Sequence, residues 1–228
     1  MRSFARAPSR ILLGLALLSG AQVFLLRWID PPATWTMLER AWDASIQDGR
    51  PVWVFRAWRD LPAVGPNLPR AAIAAEDARF FEHHGFDVEG IRRAVEAYRA
   101  SQPGEPLRGG STITQQVAKN VFLWQDQTWL RKGLEVWFTL LLELMLPKER
   151  ILELYLNVAE TGPRCFGVEA GARRWFGKSA ASLSASEAAT LLALFPSPNR
   201  WTPEDLAVQR RARAVERAMS GVQLPVSR

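Results

Sequence analysis

From Arg131 to Leu146 the chain reads RKGLEVWFTLLLELML, and polar side chains recur at every fourth position: Arg131, Glu135, Thr139 and Glu143. Four-residue spacing places them on one face of an α-helix. The thirteen residues from Leu134 onward are otherwise almost wholly apolar, and they rise only about 20 Å as a helix. That is short of a hydrocarbon core of roughly 30 Å, so the segment is a buried helix rather than a membrane span. Its polar stripe is either the one face that water wets or the lining of a cleft. Spacing alone leaves the two readings even. In the second, Glu135 is a candidate functional carboxylate, with Arg131 and Lys132 able to hold an anion beside it.

A second apolar run sits at the N-terminus. Ile11 to Leu26 carries no charge, with Arg2, Arg6 and Arg10 before it and Arg27 after it. Sixteen residues rise about 24 Å, and Trp28 and Ile29 extend the run while Arg27 snorkels to the interface. A cleaved signal peptide would have a shorter apolar region followed by a small-x-small site. Here Ser19-Gly20-Ala21 falls inside the run, which favours an uncleaved anchor. Arginines ahead of the span place residues 1–10 in the cytoplasm and the rest of the chain outside the inner membrane.

Charge narrows the partners. Of the net +6, three charges come from the arginines of residues 1–26, where there is no acid, leaving +3 over the other 202 residues. Such a mildly basic domain argues against nucleic acid and suits an anionic membrane surface or a phosphate-bearing substrate. Ten Trp against two Tyr also fit a domain lying near lipid headgroups. A lone Cys165 excludes an intrachain disulfide.

The remainder reads as helices, with no convincing alternating strand. Residues 30–60 form a connector with a Trp-rich amphipathic stretch, and Pro62, Gly65, Pro66 and Pro69 punctuate the start of the main domain. Helices are predicted over Ala71 onward to Gly85, Val88–Ala100, Ile113–Trp124, Leu130–Leu146, Lys148–Val158 and Ser186–Phe195. The tail, Leu206 to Met219, carries Val208, Ala212, Val215 and Met219 on one face and should pack onto the domain or the membrane.

Two further stretches carry chemistry. Glu76 opens the run EDARFFEHHG at the end of the Ala-rich segment 71–75. A carboxylate there can have its proton affinity set by its neighbours and act as a proton acceptor. The plainer reading is a surface pair with Arg79, worth a few tenths of a kcal/mol. Gly109-Gly110-Ser111-Thr112-Ile113-Thr114-Gln115-Gln116 is a Gly-Gly turn feeding a helix, with capping-box spacing between Thr112 and Gln115. Such a helix start suits an anion such as pyrophosphate, and Lys119 lies further along. An ordinary capped helix is as good a reading. No nucleotide-binding fingerprint is present. His83 and His84 are adjacent and the Cys is distant, so a zinc site is disfavoured. His83 instead orders the end of the Glu76 helix.

In order along the chain stand Glu76-Asp77-x-x-Phe80-x-x-His83-x-Gly85, Gly109 to Gln116, Arg131-Lys132-x-x-Glu135, Lys148-x-x-Ile151-Leu152-Glu153-x-Tyr155-Leu156-Asn157, and Phe166 to Ala170 leading to Trp175-Phe176-Gly177-Lys178. These five motifs resemble those of the peptidoglycan glycosyltransferases, glycosyltransferase family 51, in their monofunctional, membrane-anchored form. The match spans roughly residues 61–203.

The resemblance implies a mainly α fold: a lysozyme-like helical head with a small membrane-associated jaw, preceded by one N-terminal transmembrane helix. The expected division is 1–10 cytoplasmic, 11–29 anchor, 30–60 connector, 61–205 glycosyltransferase domain and 206–228 amphipathic tail. The implied reaction joins lipid II units to a growing glycan strand and releases undecaprenyl pyrophosphate with inversion, on the periplasmic side of the inner membrane and beside other cell-wall synthesis proteins. Glu76 would be the general base and Glu135 would assist departure of the pyrophosphate, with a divalent cation (magnesium or manganese) as a candidate helper. Gly110, Ser111, Thr112, Gln115, Gln116, Lys119, Arg131 and Lys132 would bind the donor, and Asp77, Phe80 and His83 would shape the cleft floor. One departure stands out. Gln127 occupies a position where the family often has an arginine, for which Arg164 is a candidate substitute. A lytic enzyme on the same fold and an inactive cell-wall scaffold are the competing functions.

Overall fold

The computed structural model describes residues 6–92, 96, 110–126 and 128–225. The predicted helix over 88–100 begins at residue 88, and most of it lies outside the described residues, as do Gly109 and Gln127. The elements, in order, are α1 (Arg6–Leu25), α2 (Trp35–Asp48), β1 (Phe55–Arg56), α3 (Asn67–Glu76), α4 (Ile113–Phe122), α5 (Trp129–Met145), α6 (Lys148–Val158), β2 (Glu160–Gly162), β3 (Cys165–Phe166), α7 (Val168–Phe176), α8 (Ala185–Ala193) and α9 (Leu206–Met219). The chain is mainly helical, as expected.

Capping chemistry fixes where the helices start. Thr112 and Gln115 form a reciprocal capping box at α4, as do Ser184 and Glu187 at α8, while Thr128 caps α5 and Thr34 caps α2. Each cap is worth about 1 kcal/mol. One core runs through the head, where α3, α8 and α9 pack on one another and α4 packs on α5 and α6. Leu68, Ile73, Ile113, Val117, Leu142, Ile151, Leu154, Leu191 and Val208 meet in it. The tail face predicted from spacing is buried throughout: Val208, Ala212, Val215 and Met219 all lie in this core. α9 therefore belongs to the domain.

The strands are a correction. A small sheet of order β1-β3-β2 exists, with β1 parallel to β3 and β2 antiparallel to it across a bulge. Strands of two or three residues are too short to show alternation, so sequence periodicity could not reveal them. The sheet ties the connector to the domain, and Asn157 reinforces it. Its side chain accepts from the Arg59 N–H (2.8 Å) and donates to the Arg59 carbonyl (2.8 Å), while Glu153 accepts from the Leu61 N–H (2.7 Å).

α1 lies against α5. Ser19, Val23 and Leu26 are buried, the Trp137 indole donates to Ser19 Oγ (3.0 Å), and Arg150 donates to the Leu26 carbonyl (2.8 Å). Ile11, Leu12, Leu15 and Leu18 point away from the protein. Among the described residues no helix is long and apolar enough to cross a membrane.

Candidate active site

Glu76 is the last residue of α3, not a residue within a longer helix. Asp77 caps that end, so the expected continuation to Gly85 is corrected to a turn-rich segment. Burial drives the correction, because Asp77 is drawn inward to serve two partners. Its carboxylate accepts from the Ile113 N–H at the start of α4 (3.0 Å) and pairs with His83 Nε2 (2.8 Å). One buried side chain thus joins two of the sequence motifs. Thr112 adds a second link by donating to the Gly85 carbonyl (2.7 Å).

Gly85 sits at φ +89, and a Cβ there would meet Thr139 Cγ2 at 2.8 Å and Glu143 Cγ at 3.1 Å. Both the backbone conformation and the contact require glycine. Gly85→Ala is expected to lower stability by about 1–3 kcal/mol, read as a shift in the denaturant midpoint.

The Glu76 carboxylate receives two side chains. Gln116 Nε2 donates to one oxygen (2.7 Å) and Arg211 of α9 donates to the other (2.8 Å). The surface pair with Arg79 that the plainer reading offered does not form, since Arg79 turns away to Glu82 (2.7 Å). Burial raises the Glu76 pKa above the usual carboxylate range, against the opposing pull of Gln116, Arg211 and Lys119. Beneath it Tyr155 is fully buried with its hydroxyl unpartnered, and burial pushes that phenol well up.

One turn along α4 from Gln116, Lys119 opens onto a cleft of about 420 Å³. Ser111, Arg131, Lys132 and Glu135 line it together with Gln125, Thr128 and Trp129. Arg131 donates to Glu135 at 2.7 Å and Lys132 donates to its other oxygen. Burial pushes the Lys119 ammonium pKa down; Glu135 opposes this and Arg131 adds to it. Three cations against one carboxylate make a partly dry, electropositive pocket that suits a multiply charged anion.

The polar stripe of α5 is resolved by burial. Arg131, Glu135 and Thr139 are buried, whereas Leu130, Leu140 and Leu144 are exposed and Trp129 is 93% exposed. The stripe faces the cleft and the core alongside buried Phe138, Leu141 and Leu142, while most of the rest of the helix's apolar surface faces outward. Glu143, further along, accepts from Thr114 (2.5 Å) and Lys148 (2.9 Å).

The remaining site candidates divide by burial. Phe80, at 0% exposure, is packed in the core, with the Lys148 ammonium 4.5 Å from its ring centroid. Asp77, His83, Thr112 and Gln115 are likewise buried in the scaffold, and Gly110 leads into it with φ +138. Arg164 is corrected: it pairs with Asp48 (3.4 Å) in a separate cleft with Arg174, so it does not substitute in the cationic pocket. Among the described residues no group of His, Cys, Asp and Glu could hold a metal ion. Both oxygens of Glu135 are already engaged by cations, so the residues present do not fit a divalent ion there. Arg211 is the residue that sequence reading missed. It lay among five arginines of an amphipathic tail, and no spacing singled it out.

Residues 47–220 match the family described as Transglycosylase. The chain is 48% identical to the biosynthetic peptidoglycan transglycosylase of Rhodospirillum centenum over 218 residues, 94% of this chain and 90% of that one. It is 46% identical to the protein of the same name from Xanthomonas campestris pv. campestris, covering 93% of this chain and 88% of the relative. A third, from Pseudomonas aeruginosa, is 46% identical over 89% of this chain and 85% of its own length. With a match over most of its length and relatives this similar, the chain belongs to the transglycosylase family.

Proposed function

We propose that the protein polymerises lipid II into linear peptidoglycan strands. The observation that carries this reading is the juxtaposition, along one face of α4, of a buried carboxylate held by Gln116 and Arg211 with a pocket of three cations. In the proposed step the 4-hydroxyl of the acceptor sugar attacks C1 of the donor sugar and its proton passes to Glu76. The C1–O bond to phosphate breaks, and the electron pair leaves on the pyrophosphate. Lys119, Arg131 and Lys132 receive that charge, and their fixed positions in a partly dry pocket make them more effective than solvent. Glu135 holds Arg131 and Lys132 in place and in that way positions the donor. The outer faces of α1 and α5 lie in lipid, with the N-terminus cytoplasmic and the catalytic domain on the periplasmic side of the inner membrane.

Purified protein incubated with lipid II is expected to give a gel-resolved ladder of glycan that moenomycin suppresses. Release of soluble fragments from preformed peptidoglycan, with lipid II untouched, would overturn the reading in favour of a lytic enzyme.

Arg211 tunes the base. Its charge and hydrogen bond favour the ionised form of Glu76, so Arg211→Ala should raise the pKa of Glu76 further. Since a base acts only when ionised, the acid limb of the polymerisation profile is expected to move to higher pH. Arg211→Lys should restore part of the shift. An unmoved acid limb in the alanine variant would exclude this role.

A further inference from the structure

Beside the cationic cleft lies a larger and mainly apolar groove of about 640 Å³. Trp35, Leu38 and Trp42 of α2, Trp53 and Trp124 form its walls. Its volume is that of a small-molecule site, typically about 300–1,000 Å³. Much of its aromatic surface is open, with Trp42 69% exposed and Trp53 85% exposed. Indole rings in such numbers around one groove mark a place where apolar ligand surface is taken out of water.

The groove and the cleft share a wall. Trp124 and Asp126 line the groove while Gln125, between them, lines the cleft. Gln125 also donates to Thr36 Oγ1 of α2 (2.7 Å), which pins the wall to the helix on the groove's far side. The cleft that holds Lys119, Arg131 and Lys132 and the groove thus meet along residues 124–126.

We propose that the groove receives the first isoprene units of the donor's polyprenyl chain, so that headgroup and tail are gripped on either side of residues 124–126. The proposal rests on the reading of the cationic cleft as the donor pyrophosphate site. Charge favours a hydrocarbon over a phospholipid headgroup. The ionisable groups lining the groove are Glu39 and Asp126, both acids, which repel phosphate and leave an uncharged chain alone. Glu39 Oε2 is buried without a hydrogen-bond partner.

The full chain in detergent micelles gives two independent tests. A polyprenyl pyrophosphate carrying a benzophenone near its phosphate end should, on irradiation, label peptides from residues 35–53 or Trp124. Labelling confined to the outer faces of α1 and α5 would overturn the proposal. In the second test, rates are compared for lipid II analogues whose pyrophosphate carries a methyl group in place of any isoprene unit (the short-chain donor) and for donors with a full-length chain. Leu38→Ala combined with Trp42→Ala is expected to raise KM for the long-chain donor about tenfold. The kcat and the short-chain KM should be unchanged, and Trp42→Phe should behave as wild type. An equal loss on both donors would overturn the proposal. So would weaker binding of the double variant to phosphatidylglycerol vesicles free of prenyl lipid, which would make the surface a membrane contact. If the wild type fails to polymerise lipid II while the label still falls in the groove, the polymerase reading falls and the groove stands.

Discussion

Glu76→Gln is expected to lower glycan polymerisation from lipid II by about 10²–10⁴-fold, equivalent to about 3–5 kcal/mol of the barrier. The amide keeps the shape of the side chain and an oxygen for the Gln116 donor, and it removes only the capacity to take a proton. Full activity in this variant would remove Glu76 from the role of base. Stability should move little, and the sign can be derived. Burial raises the pKa of Glu76 in the fold, so the native state binds this proton more tightly than the unfolded chain. For this group, stability is therefore greatest at low pH and declines as pH rises through the folded pKa. A neutral glutamine escapes that decline, while Arg211, about one-third exposed, loses a counterion worth about 1 kcal/mol or less. The variant should melt close to wild type at neutral pH, and loss of activity without loss of fold is the signature that separates chemistry from structure.

Glu169→Gln should do the opposite, reducing stability much more than it alters the chemistry of whatever remains folded. Glu169 is 0% exposed. It accepts from Arg173 (2.7 Å), from Arg59 (3.3 Å) and from the Ala180 N–H (2.9 Å). Burial alone would raise its pKa, but the Ala180 N–H, Arg59 and Arg173 together outweigh burial and hold it below the usual range. Losing the charge leaves these donors weakly matched in a dry site, at about 3 kcal/mol. In a domain of this size that corresponds to a fall in Tm of about 6–12 °C. The pH dependence follows from the lowered pKa. Wild type keeps this contribution above the unfolded carboxylate pKa and loses it as pH falls through the folded one. The gap between wild type and variant should therefore close in acid, and a gap independent of pH would exclude the ion-pair account.

The two carboxylates show how differently the sequence exposed its own logic. α6 and α9 were legible to the residue, and the spacing of Val208, Ala212, Val215 and Met219 gave the buried face of α9. The Thr112 capping box was equally readable, since a cap is local chemistry. The stripe on α5 could be seen but not interpreted, because periodicity gives a face and not what the face meets. Only the burial of Arg131 and Glu135 beside exposed Leu140 and Leu144 decided it. The partners of Glu76 were illegible for a different reason. Gln116 and Arg211 stand 40 and 135 residues away, and no local pattern carries information over such distances. Glu153 and Asn157, prominent in a family motif, turn out to clamp the backbone of Arg59 and Leu61 rather than to face the cleft.

The Arg211 contact also orders events in time. Ribosomes deliver Glu76 long before the helix that holds its counterion, which is the last of the described elements. Until α9 emerges and docks against α3 and α8, the carboxylate lacks a guanidinium that favours its ionised form. Under the proposed function, a chain ending before Arg211 lacks the guanidinium that favours the ionised form of Glu76, and any polymerisation it retains should need a higher pH than that of the full chain.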